Sequence, residues 1–380
     1  MASHWESGLP TANSHISIAG VQDAAQVIYD AGELNLAGLN LLSGTTVVDT
    51  GNLQVTGQTN IANSATLTVN GNAYMPIGEL NNAGTLNLTQ GALAIQSGQQ
   101  SGGYNLLANS QLNFMGDEHQ FANTAFIGGL GNLAFIGANG LNLPEISVNE
   151  VLIDASGSVE QQGSLTSTKL QLSGADADYV LNNSSNDVDV ITGAGKSLVF
   201  VNHTENTPKP LIVEDLSMEN KLLIDNFGET RTQGEVVSTS GELRLVAHSP
   251  LTIDASSTVS AFNDVSLFAG DGTDSYDILT IAGNVTSQQG SIEMLADTSN
   301  ITGKLQARNG SVRLNNENLF SPTVFTDETS ELLNTQQQDV YISLLDQLVS
   351  EGKKEWDFVT EEWVFMDEED AKMTPLTQCR

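Results

Sequence analysis

Basic residues are scarce in this chain. Lys and Arg together number 13 against 46 Asp and Glu, which gives a formal net charge of −33 over 380 residues. Residues 1–168 contain twelve acids and no Lys or Arg, so the first basic side chain is that of Lys169. Proteins bind nucleic acid and anionic membrane surfaces mainly through Lys and Arg. The sequence therefore predicts that neither of these is a partner.

Cysteine and long apolar runs are also scarce. Cys379 is the single cysteine, so an intrachain disulfide is excluded. No stretch reaches the roughly 20 apolar residues that a membrane-spanning helix requires. Residues 1–10 have neither the basic nor the apolar region of a secretory signal. If the protein works outside the cell, we expect this chain to be part of a longer precursor.

Pairs of apolar residues separated by one residue recur through the first half of the chain. Gly, Asn, Ser and Thr separate the pairs, and the mean step is about 19 residues. A unit this short cannot bury its own apolar side chains, so neighbouring units must stack into a continuous core. The pairs are Leu34/Leu36, Leu53/Val55, Leu67/Val69, Leu86/Leu88, Leu112/Phe114, Leu133/Phe135, Val151/Ile153 and Leu170/Leu172.

This repeat predicts an all-β fold, a parallel β-helix (solenoid) with three regions. Residues 1–30 are predicted as an N-terminal capping segment and residues 31–320 as the β-helix repeats. Residues 321–380 are predicted as an acidic C-terminal segment with a helix near 338–351, because apolar residues there follow a helical stripe. Residues 356–365 are expected to form a short hairpin or a docking segment. The simplest interpretation of this tail is a small cap on the last coil, and the alternative is an interaction or anchoring segment.

Asparagine within the apolar pairs has a predicted structural role. Asn35, Asn87, Asn113 and Asn142 alternate with apolar neighbours, which places them on the outer face of their strands. Side-chain amides stacked from coil to coil can form hydrogen-bonded ladders.

Short segments rich in apolar residues occur at 180–188, 197–200, 211–213, 241–245, 251–253, 265–267 and 278–285. These segments resemble the repeats of filamentous haemagglutinin-like large exoproteins. The resemblance implies a right-handed parallel β-helix that is exported by two-partner secretion and used as an adhesin or matrix component. It also implies an outer-membrane transporter as a partner. Some members of that family stay at the surface through a C-terminal cysteine pair, for which this chain offers only Cys379. The resemblance is clearest over about residues 165–315.

Candidate sites are few. Residues 269–276 approximate one calcium-binding nonapeptide, in which Asp271, Asp274 and Asp277 would supply oxygen ligands. A plain Gly/Asp turn is the competing interpretation. Asp117-Glu118-His119 could suggest acid/base chemistry, but no nucleophile or anion-stabilising cation stands nearby in the sequence.

These observations favour a non-enzymatic, secreted or cell-surface adhesin that attaches to glycans, a host surface or biofilm matrix. We expect no cofactor other than calcium. The alternative is a carbohydrate-active β-helix enzyme, a polysaccharide lyase or hydrolase. Asp187 and Asp189 could form its carboxylate pair, because alternate residues of a strand share a face about 7 Å apart.

Overall fold

The computed structural model describes residues 10–19, 26–30, 32–70, 75–202, 208–248, 250–270 and 277–316. It also describes four short strands at residues 324–326, 331–334, 354–357 and 362–365. The described residues contain no helix, and the protein is an all-β parallel β-solenoid of about 14 turns, as the repeat predicted. The predicted helix near 338–351 lies outside the described residues.

The chain divides into two compact units, residues 1–183 and residues 184–380. The strands of the first unit are β1 (Ser14–Ala19), β2 (Gln26–Tyr29), β3 (Glu33–Val48), β4 (Asn52–Ile61), β5 (Ala65–Val69), β6 (Met75–Asn82), β7 (Thr85–Leu88), β8 (Gly91–Gln100), β9 (Gly103–Leu106), β10 (Ser110–Met115), β11 (His119–Phe121), β12 (Phe126–Gly129), β13 (Asn132–Leu143), β14 (Glu145–Ser147), β15 (Glu150–Gln161), β16 (Leu165–Ser173) and β17 (Ala177–Leu181).

The described strands of the second unit are shorter toward its end. They are β18 (Asp187–Asn202), β19 (Leu211–Asn226), β20 (Thr230–Ser238), β21 (Leu243–Ala247), β22 (Leu251–Ile253), β23 (Thr258–Ala261), β24 (Val265–Ala269), β25 (Ile278–Ile281), β26 (Asn284–Ser287), β27 (Ile292–Ala296), β28 (Thr298–Ile301), β29 (Lys304–Ala307), β30 (Val312–Asn316), β31 (Val324–Thr326), β32 (Glu331–Asn334), β33 (Lys354–Asp357) and β34 (Glu362–Phe365).

Each coil of the first unit consists of three strand segments, and each segment pairs in parallel with the matching segment of the next coil. Strand β3 shows this directly, because its parts at 33–41 and 44–48 pair with β4 and β5 respectively. Interior positions therefore form columns. One column is fully apolar and at most 2% exposed: Leu36, Val55, Ile77, Ile95, Phe114, Phe135, Ile153 and Leu172.

Two of the eight apolar pairs belong to a different strand segment from the other six. Leu67/Val69 and Leu86/Leu88 lie in β5 and β7, the third segment of their coils, and continue into β9. The period of about 19 residues is nevertheless confirmed. Each strand segment recurs once per coil, so pairs in either segment repeat after the same number of residues.

Strand pairing extends into both terminal regions of the sequence. Strands β1 and β2 pair in parallel with β3, and β31 and β32 pair in parallel with β28 and β29. The hairpin expected near residues 356–365 is confirmed as the antiparallel pair β33 and β34, which places Trp356 opposite Trp363. The division into three regions stays a prediction.

Amide ladders connect successive coils on the surface of the first unit. Asn60 donates through Nδ2 to Asn40 Oδ1 at 2.7 Å, and Asn81 donates in the same way to Asn60 Oδ1 at 3.1 Å. Asn105 donates to Asn87 Oδ1 at 2.8 Å, so the predicted ladder exists at Asn87.

The second unit also has an asparagine ladder in its interior. Asn202 is 4% exposed and donates to Asn226 Oδ1 at 2.9 Å, while Asn226 is 1% exposed. Asn202 also accepts from the N–H of Val188 at 2.9 Å and donates to its carbonyl at 3.1 Å. These bonds satisfy backbone groups that would otherwise be buried without a partner.

Replacing Gly98 by Ala should destabilise the fold strongly. Gly98 has a φ of 134°, and an added Cβ would lie 1.9 Å from the carbonyl oxygen of Leu80 in the preceding coil. We expect Gly98→Ala to lower the free energy of unfolding by at least about 2 kcal/mol. Gly103→Ala is the matched control, because an added Cβ there meets nothing within 4 Å. Equal denaturant midpoints for the two variants would contradict this account.

Replacing Asn202 by Ala should cost more than removing a surface amide. The substitution leaves the buried N–H and C=O of Val188 without side-chain partners, and each such group costs about 1–3 kcal/mol. Asn105→Ala removes one exposed amide bond and should cost less than about 1 kcal/mol. Urea unfolding of both variants measures the difference, and a similar small loss for both would show that the buried ladder adds no stability.

Candidate functional site

An open depression crosses four consecutive coils of the second unit. Its volume is about 640 Å³. We call it the turn groove, because six of its eight residues lie in the turns that precede β21, β24 and β27, while Asn220 and Lys221 lie within β19. It is lined by Asn220, Lys221, Gly241, Glu242, Asn263, Asp264, Gln289 and Gly290.

Strand register brings these turn residues together. Leu222, Leu243, Val265 and Ile292 are register partners in β19, β21, β24 and β27, so the residues before them also lie side by side. Coils in close contact leave no room for a side chain at one of these turns. A Cβ on Gly241 would lie 1.3 Å from the carbonyl oxygen of Asn220, so only glycine fits there.

The groove offers both charges and amides. Lys221 Nζ lies 3.8 Å from Glu242 Oε1, and Asp264 Oδ1 accepts the N–H of Ser291 at 2.7 Å. The side chains of Asn220, Asn263 and Gln289 are exposed. Amides that both donate and accept, beside fixed carboxylates, are suited to polyhydroxylated ligands such as glycans.

The predicted calcium ligands fall mostly outside the described residues, since Asp271 and Asp274 belong to the segment 271–276. Asp277 is 5% exposed, and its carbonyl oxygen accepts the N–H of Thr298 at 3.2 Å. Among the described residues, no group of three His, Cys, Asp or Glu side chains could hold a metal ion. Calcium binding stays a prediction, as does anchoring through Cys379, which also lies outside the described residues.

The candidate carboxylate pair is partly neutralised by a cation. The ammonium of Lys209 donates to Asp187 Oδ2 and forms an ion pair with it. This hydrogen bond and the nearby charge of Asp189 raise the pKa of Lys209. An ion-paired carboxylate on the surface is typical of a structural contact between coils.

His119 of the Asp117-Glu118-His119 motif packs against aromatic rings. Its ring centroid lies 5.1 Å from that of Phe114, and its Nε2 lies 3.1 Å from the carbonyl oxygen of Met115. Burial lowers the pKa of His119, and the carbonyl of Met115 and the charge of Asp117 offset this only in part. Asp117 and Glu118 are exposed. The imidazole is therefore part of an aromatic cluster with Phe114, Phe121 and Phe135.

No protein-family model matches this sequence, and no match was found among curated proteins or among solved structures. Within the described residues, no helix is long and apolar enough to cross a membrane.

The lowered pKa of His119 predicts a loss of stability in acid. The unfolded chain binds the proton near pH 6.5, whereas the folded state does so only at lower pH, so protons favour unfolding as the pH falls below 6.5. His119→Phe and His119→Gln both remove this contribution. We expect the drop in melting temperature between pH 7 and pH 5 to be smaller in both variants than in the parent protein. An identical pH dependence in all three proteins would show that His119 does not titrate differently on folding.

Proposed function

We propose that the protein is a non-enzymatic adhesin, secreted or displayed at the bacterial cell surface, and that the turn groove is its attachment surface. The observation that carries this proposal is the groove itself, where consecutive coils present amides and carboxylates side by side. Such an array can contact successive sugar rings of a glycan on a host surface or in biofilm matrix.

The negative net charge of the chain limits the class of glycan that we propose as the ligand. With 46 acids against 13 bases, the protein repels polyanions, and Lys221 is the only basic residue among those that line the groove. Neutral glycans fit this surface better than sulfated or uronate-rich ones. A carbohydrate-binding surface built from Asn, Gln, Glu and Asp also needs no cofactor.

The coil-on-coil fold supports export through an outer-membrane transporter of the two-partner type. Each coil gains its hydrogen bonds and its buried surface from the coil before it, so folding can proceed as the chain emerges. The chain contains one cysteine, so this folding requires no intrachain disulfide. The transporter and the extracellular location are parts of the proposal.

Binding of the full chain to an array of neutral and acidic glycans tests this proposal. We expect binding to neutral glycans and at least about tenfold weaker binding by Asn220→Ala/Asn263→Ala, which removes two exposed amides of the groove. The matched control is Asn284→Ala/Asn300→Ala, two exposed asparagines outside the groove, which should bind like the parent protein.

Two outcomes would overturn the proposal. Binding that both double variants retain would place attachment elsewhere on the molecule. Chain cleavage of a bound polysaccharide, measured as new reducing ends, would favour the carbohydrate-active enzyme instead.

A further inference from the structure

An exposed phenylalanine stands at the border of the turn groove. Phe262 is 42% exposed, and the two residues that follow it, Asn263 and Asp264, both line the groove. Among the described residues of the second unit, Ile278 is the one other large hydrophobic residue with a similar exposure, at 39%. The ring of Phe262 is therefore accessible to a ligand that lies in the groove.

The coil that carries Phe262 has a shorter turn than its neighbours. Three residues, 262–264, connect β23 to β24, whereas four residues connect β20 to β21 and four connect β26 to β27. The longer turns are residues 239–242 and 288–291. The groove thus coincides with a short turn between two longer ones, and Phe262 is the first residue of that short turn.

Hydrogen bonds to both neighbouring coils fix the backbone of Phe262. Its N–H donates to the carbonyl oxygen of Ser238 at 3.0 Å, and its carbonyl oxygen accepts the N–H of Gln289 at 2.7 Å. The N–H of Asn263 donates to the carbonyl oxygen of Gly241 at 2.9 Å. Because this backbone is ordered before a ligand arrives, binding does not pay the entropy of ordering it.

Polar side chains occupy the positions that match Phe262 in the other coils. The residues that end β20, β23, β26 and β29 are register partners, so the residues that follow them form a row across the coils. The row consists of Thr239, Phe262, Gln288 and Arg308. In the adjoining row, Asn309 donates through Nδ2 to Gln289 Oε1 at 3.1 Å. The ring of Phe262 is thus an apolar feature within an array of hydrogen-bonding groups.

A sugar ring is matched by this combination of groups. Its faces carry C–H groups and its rim carries hydroxyls, so an aromatic ring can stack on a face while amides and carboxylates bond to the rim. We propose that Phe262 is a stacking platform for one sugar of the glycan, and that it makes the turn groove selective for neutral pyranose chains without axial hydroxyls. This inference rests on the proposed function of the groove.

The spacing of the coils favours an extended, β-1,4-linked glucose chain. Glucose in this linkage has no axial hydroxyl, so both faces of each ring present only C–H groups. Neighbouring coils are about 4.8 Å apart, which is close to the advance of such a chain per sugar. Successive sugars can therefore lie over successive coils, with one ring on Phe262 and the others beside the amides of the groove.

Binding of cellohexaose to the full chain, measured by isothermal titration calorimetry, tests the platform. We expect Phe262→Ala to weaken binding at least about tenfold, as truncation of a central aromatic contact does. Phe262→Trp should bind at least as tightly as the parent, because the indole keeps an aromatic face. The matched control is Phe126→Ala, which removes an aromatic ring of similar exposure, 36%, from the first unit and should bind like the parent. Circular dichroism should show the same β signal in all variants.

The outcomes separate this inference from the proposed function. If Phe262→Ala retains binding that Asn220→Ala/Asn263→Ala loses, the platform is overturned and the groove remains the attachment surface. Binding of other neutral glycans without cellohexaose would overturn the selectivity. Equal losses in Phe262→Ala and Phe262→Trp would show that an aromatic face is not what the ligand contacts, and would also overturn the platform. A parent protein that binds no glycan would overturn the proposed function and the platform together.

Discussion

The structure depends on parallel stacking in register. Because each strand segment lies on the matching segment of the neighbouring coil, any position repeats along the sheet at about 4.8 Å and forms a column. A column inside the coil must be apolar along its whole length, as Leu36 and its seven successors are, or must satisfy its polar groups internally, as Asn202 and Asn226 do. The tight glycine positions have the same origin, since Gly98 and Gly241 sit where a neighbouring carbonyl leaves no space.

The sequence predicts the period of the solenoid because interior columns impose apolar residues at a fixed coil length. It cannot show which strand segment a given pair belongs to, because Leu-x-Leu looks the same in every segment. That is why Leu67/Val69 and Leu86/Leu88 were grouped with pairs from another column. The ladder at Asn87 was predictable from alternation, whereas the one joining Asn40, Asn60 and Asn81 depends on coil lengths of 20 and 21 residues.

The turn groove was not visible in the sequence for the same reason. Asn220 lies within β19, Glu242 and Asp264 lie in turns, and only the register of β19, β21 and β24 brings them together. Lys209 pairs with Asp187 across 22 residues of sequence, so the neutralising cation of the carboxylate pair was equally hidden. The periodicity of apolar residues therefore predicts the coil. The arrangement of surface residues depends instead on contacts between coils, which local sequence patterns do not reveal.

The direction of the surface amide bonds has a consequence for assembly. Asn60, Asn81 and Asn105 each give their proton to an oxygen that comes earlier in the chain, and Asn70, Thr89, Asn149 and Thr168 do the same. Gln58 and Asn202 donate in the opposite direction, to Glu79 and Asn226 of the following coil, so a coil presents both donors and acceptors to its neighbours. Both ends of a growing stack therefore offer hydrogen-bonding side chains to the next coil, and the side-chain ladders favour neither direction of growth.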